Sequence, residues 1–475
     1  MSDPVATTTE GAVRGRAGGG AHVFLDIPYA APPTGAARFA APVPHEPWQG
    51  IRDATRPGPT APQPHRDGFG ALDMSPYFEP GWIPGDDYLT VNVWAPLHAR
   101  NSPVMVFVHG GGFITGSTRS PLYDGTAFAR DGVVLVTLNY RLGIAGFLDL
   151  PDAPANRGLL DVVAALGWVR RNIAAFGGDP GNVTLFGQSA GATITSGVLA
   201  TPGAEGLFHR AIVQSGNGMG AFSTEQAARV THAAAAALGV EPTVADFARV
   251  PDEHFVDVTP KLGGLDLRTS TRFDPLLGLS AFSLVLDRQP AEAVAAGAGA
   301  GAGTTLLVGT NTEEGNLYLA PQGNLTTSTA EDVRNTAAQV HADPAALVAR
   351  YRARYPRAST GGLHSTILGD ALFGAGSRRL AEAHAAQERG PTYTYEFAWR
   401  SSAVDGQLGA AHTVELPYVF DCLDLPELRG PRGLLGPAEP PAALATRMHS
   451  AWVAFARTGE PGWAPSETHR FTGCD

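Results

Sequence analysis

Four short runs along the chain are apolar at nearly every position and rich in β-branched residues: 104–108, 133–138, 183–186 and 306–309. Runs that are apolar throughout, without alternation, suit parallel strands buried on both faces. Between the second and third runs, residues 158–176 follow a helical pattern that stops at Gly177-Gly178-Asp179-Pro180. A second helix is predicted over 224–238, with Ser223 or Thr224 to cap its start and Gly239 beyond its end. A polar helical region follows at about 329–355, then a further strand at 392–398. Strands alternating with helices predict an α/β fold with crossover helices. The alanine–glycine stretch 295–303 has little to bury and is read as a flexible surface loop. Neither an internal repeat nor a linker divides the chain, so 1–475 is read as one domain.

Composition narrows the partners. A net charge of −11 argues against nucleic acid or an anionic membrane as the main partner. Lys261 is the only lysine, whereas arginine, alanine and glycine abound, which reads as the codon bias of a GC-rich, bacterial genome. The two cysteines, Cys422 and Cys474, cannot supply a disulfide framework. The stretch from Met1 to Ala6 lacks a basic region followed by an apolar one, and no window reaches a membrane-spanning length of about 18 to 20 apolar residues. A cytoplasmic enzyme is the expectation.

The chemistry begins at Gly187-Gln188-Ser189-Ala190-Gly191, directly after the third apolar run. This is the only G-x-S-x-G in the chain. A run of small residues then leads into a predicted helix, which gives the strand–turn–helix setting of a nucleophile elbow. Ser189 is therefore the candidate nucleophile. A serine that attacks a carbonyl needs fixed N–H donors for the oxyanion. His109-Gly110-Gly111-Gly112-Phe113, directly after the first run, supplies an HGGG loop of the kind found in lipases and esterases. Gly111, Gly112 and Ala190 are the expected donors, and His109 is read as structural. For the acid, Gly309-Thr310-Asn311-Thr312-Glu313-Glu314-Gly315 leaves the fourth run with two adjacent carboxylates. Fourteen histidines compete for the base.

At this point the sequence resembles the type-B carboxylesterases, the group that includes para-nitrobenzyl esterases and cholinesterases. The resemblance spans nearly the whole length. It rests on residues 24–30 with Pro32-Pro33 and Arg38-Phe39, on 86–94, and on Asn139-Tyr140-Arg141-Leu142-Gly143. Phe176-Gly177-Gly178-Asp179-Pro180 and Ala211-Ile212-Val213-Gln214-Ser215-Gly216 add to it. It implies an α/β-hydrolase fold: a central, mostly parallel, twisted sheet flanked by helices, with helical insertions near 220–300 and 320–390 forming the approach to the site. It implies Glu314 as the acid, with Glu313 as a structural neighbour. The base falls in Gly409-Ala410-Ala411-His412-Thr413-Val414-Glu415, at His412. It further implies two buried ion pairs, Arg38 with Asp86 and Arg141 with Asp161.

The expected reaction is hydrolysis of a carboxylic ester to acid and alcohol, with water and no cofactor or metal. Carbamate or amide hydrolysis and lipase action use the same machinery. A non-catalytic binding relative is the reading from another class, and such relatives lose part of the triad. The chain also departs from the family pattern. Ala61 and Tyr88 stand where a cysteine pair is frequent, Gln188 where glutamate is, and Thr413 where glycine is. Gln188 weakens any expectation of a cholinesterase-like preference for cations.

Overall fold

The computed structural model describes residues 3–301 and 303–473. Met1, Ser2 and Cys474, which entered the reading of the termini and of the cysteines, lie outside the described residues. Ten strands form one sheet. In chain order they are β1 (Arg16–Gly18), β2 (Ala21–Pro28), β3 (Thr90–Pro96), β4 (Ser102–Val108), β5 (Val134–Leu138), β6 (Gly178–Gln188), β7 (Arg210–Gln214), β8 (Thr305–Asn311), β9 (Thr392–Phe397) and β10 (Thr468–Phe471). Their spatial order is β10-β9-β8-β7-β6-β4-β5-β3-β2-β1. The seven strands from β10 to β5 pair in parallel, and β3, β2 and β1 close the other edge antiparallel. This is the mostly parallel, helix-flanked sheet of an α/β hydrolase.

The apolar runs are explained by burial on both faces. Val104, Val106 and Val108 enter one core while Met105 and Phe107 enter the other. Successive residues of a strand point to opposite faces, so both must be apolar when both faces are covered. The first face is covered by α1 (Arg157–Asn172), α2 (Ala190–Ala200) and α3 (Thr224–Leu238), through residues such as Leu166, Ile194 and Val230. The opposite face receives Trp452 and Phe455 of a long C-terminal helix, Ala442–Thr458. The cap of α3 falls at Ser223, whose hydroxyl accepts the Gln226 N–H while the Gln226 side chain returns to the Ser223 N–H. Helices also occupy the chain between β8 and β9, at Ala330–Val340, Pro344–Arg354, Thr360–Gly369 and Ala375–Ala385.

Two expectations are corrected. The alanine–glycine stretch lies at the surface at Ala295, Ala296 and Gly303, but it is anchored rather than free. Ala300 is buried, and the Gly301 N–H donates to the Leu199 carbonyl at the end of α2 (2.8 Å). Small residues let its backbone pack against the helix end, where a Cβ on Gly299 would come within 2.4 Å of Ala200. Arg38 does not pair with Asp86, which is exposed. Its guanidinium instead donates to the Val250 carbonyl (2.5 Å), lies 3.5 Å from Asp252 and sits over the Phe255 ring. The short helix Asp252–Val258 is close enough to supply the carboxylate and the ring together.

The other pair is made as expected. Arg141 and Asp161 are both fully buried, with the guanidinium bonded to both carboxylate oxygens (2.9 and 2.7 Å). The two Nη1 N–H groups donate to the Arg38 and Ala40 carbonyls. Ala61 and Tyr88, the positions where a disulfide is frequent, are buried in a single apolar core. Cys422 is a free, partly buried thiol. Among the described residues no helix is long and apolar enough to cross a membrane.

Candidate active site

The register of the parallel strands aligns their carboxyl ends. Gly187 lies opposite Val108, Gln188 opposite Gln214, and Gln214 opposite Gly309. The loops that follow β4, β6, β7 and β8 therefore emerge together along one edge of the sheet, where α/β folds place their ligands. Those loops carry the HGGG sequence, Ser189, Ser215 and Glu314.

Ser189 sits between β6 and α2 with φ 57° and ψ −124°. That conformation is strained for a residue with a side chain. It persists because the turn is packed against the end of β4. A Cβ on Gly191 would come within 2.1 Å of the Val108 carbonyl. The turn leaves the Ser189 hydroxyl 2.9 Å from His412 Nε2. On the far side of the ring, His412 Nδ1 is 2.7 Å from Glu314 Oε2. Both His412 and Glu314 are buried, while Ser189 is half-exposed to a cleft. The three predicted residues are thus hydrogen-bonded in series.

Glu314 has its other oxygen occupied as well. Oε1 accepts the Ser215 hydroxyl (2.5 Å) and the Asn311 N–H (2.7 Å). Sequence reasoning did not single out Ser215, although it lies in the quoted block 211–216; the only available signal was a polar residue just past a buried strand. Glu313 points elsewhere. It pairs with Arg400 and accepts the Ala410 N–H (2.9 Å), tying the loop after β8 to the His412 loop. Gln188 is linked to the site, with Nε2 3.4 Å from His412 Nε2 and Oε1 accepting the Tyr77 hydroxyl (2.8 Å).

Gly111, Gly112 and Ala190 all line the same cleft as Ser189. Gly111 and Gly112 have φ of 113° and 64°, which turns successive peptides as a side-chain-bearing residue would resist. Among the described residues no acceptor takes the N–H of any of the three. His109 is not part of the cleft wall. It is buried, stacked on Tyr140 at 4.5 Å, and burial pushes its pKa down to about 4. It is a neutral packing residue at neutral pH. Glu415 is fully buried within electrostatic reach of His412 and accepts from Asn311 Nδ2 (2.7 Å). Burial first, and the Glu314 charge second, push its pKa up to about 7.

The cleft walls are largely apolar: Phe69, Met74, Phe78, Phe113, Leu279 and Leu317 all contribute. Its geometry offers a hydroxyl, a ring nitrogen able to take its proton, and free N–H groups beside them. Among the described residues no group of three or more histidine, cysteine or carboxylate side chains could hold a metal ion.

Comparison with known proteins agrees with this architecture. A family model described as the carboxylesterase family matches residues 2–471. The chain is 37% identical to the para-nitrobenzyl esterase of Bacillus subtilis, covering 97% of this chain and 91% of that protein. It is 36% identical to the phenmedipham hydrolase of Pseudarthrobacter oxydans, with the same coverage. Among solved structures, a Geobacillus stearothermophilus carboxylesterase superposes with a TM-score of 0.83 at 34% identity, covering 99% of this chain and 96% of that one. A sheet of this order, with a serine elbow at the carboxyl ends of its strands and a family match along almost its full length, makes the chain a member of the carboxylesterase family, a hydrolase of carboxylic esters.

Proposed function

We propose that the ester is cleaved through an acyl-enzyme at Ser189, with His412 as base and Glu314 as its orienting acid. The observation that carries this reading is the unbroken series Ser189–His412–Glu314, at 2.9 and 2.7 Å. Neutral His412 removes the hydroxyl proton as Ser189 Oγ attacks the ester carbonyl. The N–H groups of Gly111, Gly112 and Ala190 receive the oxyanion, and their freedom from internal acceptors supports that role. The tetrahedral intermediate collapses, the acyl–oxygen bond breaks, and His412 returns its proton to the leaving alkoxide. Water then attacks the acyl-enzyme with the same base, releasing the acid and restoring Ser189. The Ser215 hydroxyl and Asn311 N–H hold Glu314 with one oxygen committed to the imidazole.

The whole chain, 1–475, is proposed to act as one unit, with the helices at 224–295 and 330–385 forming the approach to the cleft. A bacterial, cytoplasmic setting is proposed with it. Its support is the apolar packing of Ala61 and Tyr88 in place of a disulfide, since such bridges mark oxidising compartments. Fractionation of the native host, followed by activity staining, tests that point.

The mechanism is tested with Ser189→Ala and 4-nitrophenyl butyrate. Turnover is expected to fall by about six orders of magnitude. A fluorophosphonate probe should label Ser189 in the wild type and leave the variant unlabelled. Turnover above about a hundredth of wild type in pure variant would sink the assignment. A parallel panel of anilide, carbamate and long-chain esters reads out preference within the same machinery.

A further inference from the structure

Among the described residues, Arg66 is the one with a permanent charge in the wall of the cleft, and none of those lining it is a carboxylate. Three other buried or half-buried arginines, Arg141, Arg52 and Arg157, all have partners. Arg141 has Asp161, Arg52 has Asp87, and Arg157 donates to the carbonyls of Ala145, Leu148 and Pro154. Arg66 makes neither an ion pair nor a hydrogen bond with any described residue. It rests on ring faces instead, 3.8 Å from the Phe69 centroid and 4.9 Å from that of Phe78. Two aromatic faces fix the plane of the guanidinium and leave its N–H edge unspent. Burial lowers its pKa, which reflects the cost of holding a cation in a partly dry cleft without an anion. This occurs in a chain of net charge −11, where carboxylates to pair with it are not scarce.

The position of Arg66 says which part of a substrate it meets. Phe69 packs edge-on against Tyr318 (6.0 Å, 90°), and Tyr318 lies nearly parallel to the His412 ring (6.3 Å, 28°). The line Arg66–Phe69–Tyr318–His412 is therefore one side of the cleft. His412 delivers its proton to the leaving alkoxide, so the alcohol portion of the ester lies on this side. The wall by Gly112, Phe113 and Leu279 is left for the acyl group.

We propose that Arg66 determines specificity by taking a carboxylate carried on the alcohol portion, so that the favoured substrates are acyl esters of hydroxy-acids. This rests on the mechanism proposed above. A carboxylate matches the fork of a guanidinium with two parallel N–H···O bonds, and water exclusion by Phe69 and Phe78 strengthens them.

The test compares kcat/KM for acetate release from 4-acetoxybenzoate with that for acetate release from its methyl ester, in wild type, Arg66→Met and Arg66→Lys. A second pair, mono-4-nitrophenyl glutarate against 4-nitrophenyl pentanoate, moves the charge to the acyl side. In Arg66→Met the anionic-to-neutral ratio of the first pair should fall roughly tenfold or more, mainly through KM. Arg66→Lys should keep part of it. The wild-type ratio should shrink with added salt. The acyl-side ratio should move less than about threefold. A first-pair ratio unchanged within about twofold in Arg66→Met overturns the proposal, as does an effect confined to the acyl-side pair.

If Arg66→Met does not fold, inhibition of the wild type decides. Competitive inhibition by 4-hydroxybenzoate should exceed that by methyl 4-hydroxybenzoate by roughly tenfold and fade with salt; equal inhibition overturns the proposal. Failure of the mechanism itself shows separately, as hydrolysis of the methyl ester that survives Ser189→Ala.

Discussion

The ring of Phe373 lies face to face on the imidazole of His412, with centroids 4.0 Å apart and planes 10° from parallel. Phe373 comes from Asp370–Gly374, a π-helical turn between two α-helices. A single widened turn of this kind re-aims one side chain without ending the helix, and such turns cluster at functional sites. The stack confines the imidazole to the plane in which Nδ1 meets Glu314 and Nε2 meets Ser189. Aromatic stacking of this kind is worth about 0.5–1.5 kcal/mol. Phe373→Ala should therefore lower kcat for a neutral ester about two- to tenfold. Phe373→Tyr or Phe373→Trp should retain more activity than alanine. Steady-state kinetics on 4-nitrophenyl butyrate decides it, and an alanine variant with unchanged kcat removes the role.

The two glutamates after β8 differ in what they hold. Glu314 accepts from His412, Ser215 and the Asn311 N–H, whereas Glu313 pairs with Arg400 and the Ala410 N–H. On the mechanism proposed above, Glu314→Gln places an amide where a carboxylate stabilises the imidazolium, and it can donate where it should accept. A loss of about four orders of magnitude in kcat is expected. Glu313→Gln weakens a surface pair and one loop contact, so kcat should stay within about threefold while thermal stability drops slightly. If Glu313→Gln is instead the crippling change, the acid has been misassigned.

Much of this was legible in the sequence because the chemistry forces it. Strands covered on both faces had to be continuously apolar, so 104–108 and 183–186 were visible without a structure. The elbow at Ser189 needs small neighbours, and Gly187 and Gly191 supplied them. What stayed hidden were contacts between segments far apart in the chain. Nothing local to Arg38 marks Asp252 as its partner. Arg66 reads as one surface arginine among many until Phe69 and Phe78 fold over it. A π-helical turn has no sequence period of its own, so nothing local marks Phe373 as the ring that stacks on His412. The alanine–glycine stretch misled in the other direction. Lack of side chains suggested exposure, yet it is what lets the backbone reach Leu199.

The Arg141–Asp161 pair gives a stability prediction. The carboxylate takes the guanidinium and also the Arg141 N–H (2.9 Å), with both side chains shut away from water. Removing one charge leaves the other buried without a partner, which typically costs about 3–5 kcal/mol. Asp161→Asn should shift the urea midpoint downward accordingly, or fail to accumulate as soluble protein. A midpoint within error of wild type would show that the pair contributes nothing net.

Glu415 makes the stability of the fold depend on pH. Its carboxyl is buried, accepts from Asn311 Nδ2, and has a second oxygen with no partner among the described residues. Desolvation and the nearby Glu314 charge raise its pKa to about 7, while His412 and Asn311 act in the opposite direction. An acid whose folded pKa lies above its unfolded value of 4.5 binds its proton more tightly when folded. Below pH 4.5 both states are protonated and the group adds no pH dependence. Between 4.5 and about 7 the unfolded chain ionises first, so stability falls as pH rises. Above about 7 both are ionised and the loss levels off, at a total on the order of 3 kcal/mol. Glu415→Gln keeps an acceptor for Asn311 without a charge to desolvate, so its stability relative to wild type should increase across that window. Asp26, whose burial raises its pKa to about 6, contributes a slope of the same sign and is common to both proteins, so it cancels in the difference. Urea midpoints measured for both proteins at pH 5 and pH 8 give that difference directly. Parallel behaviour of the two proteins between those pH values would mean that Glu415 is already ionised, or already solvated, in the folded enzyme.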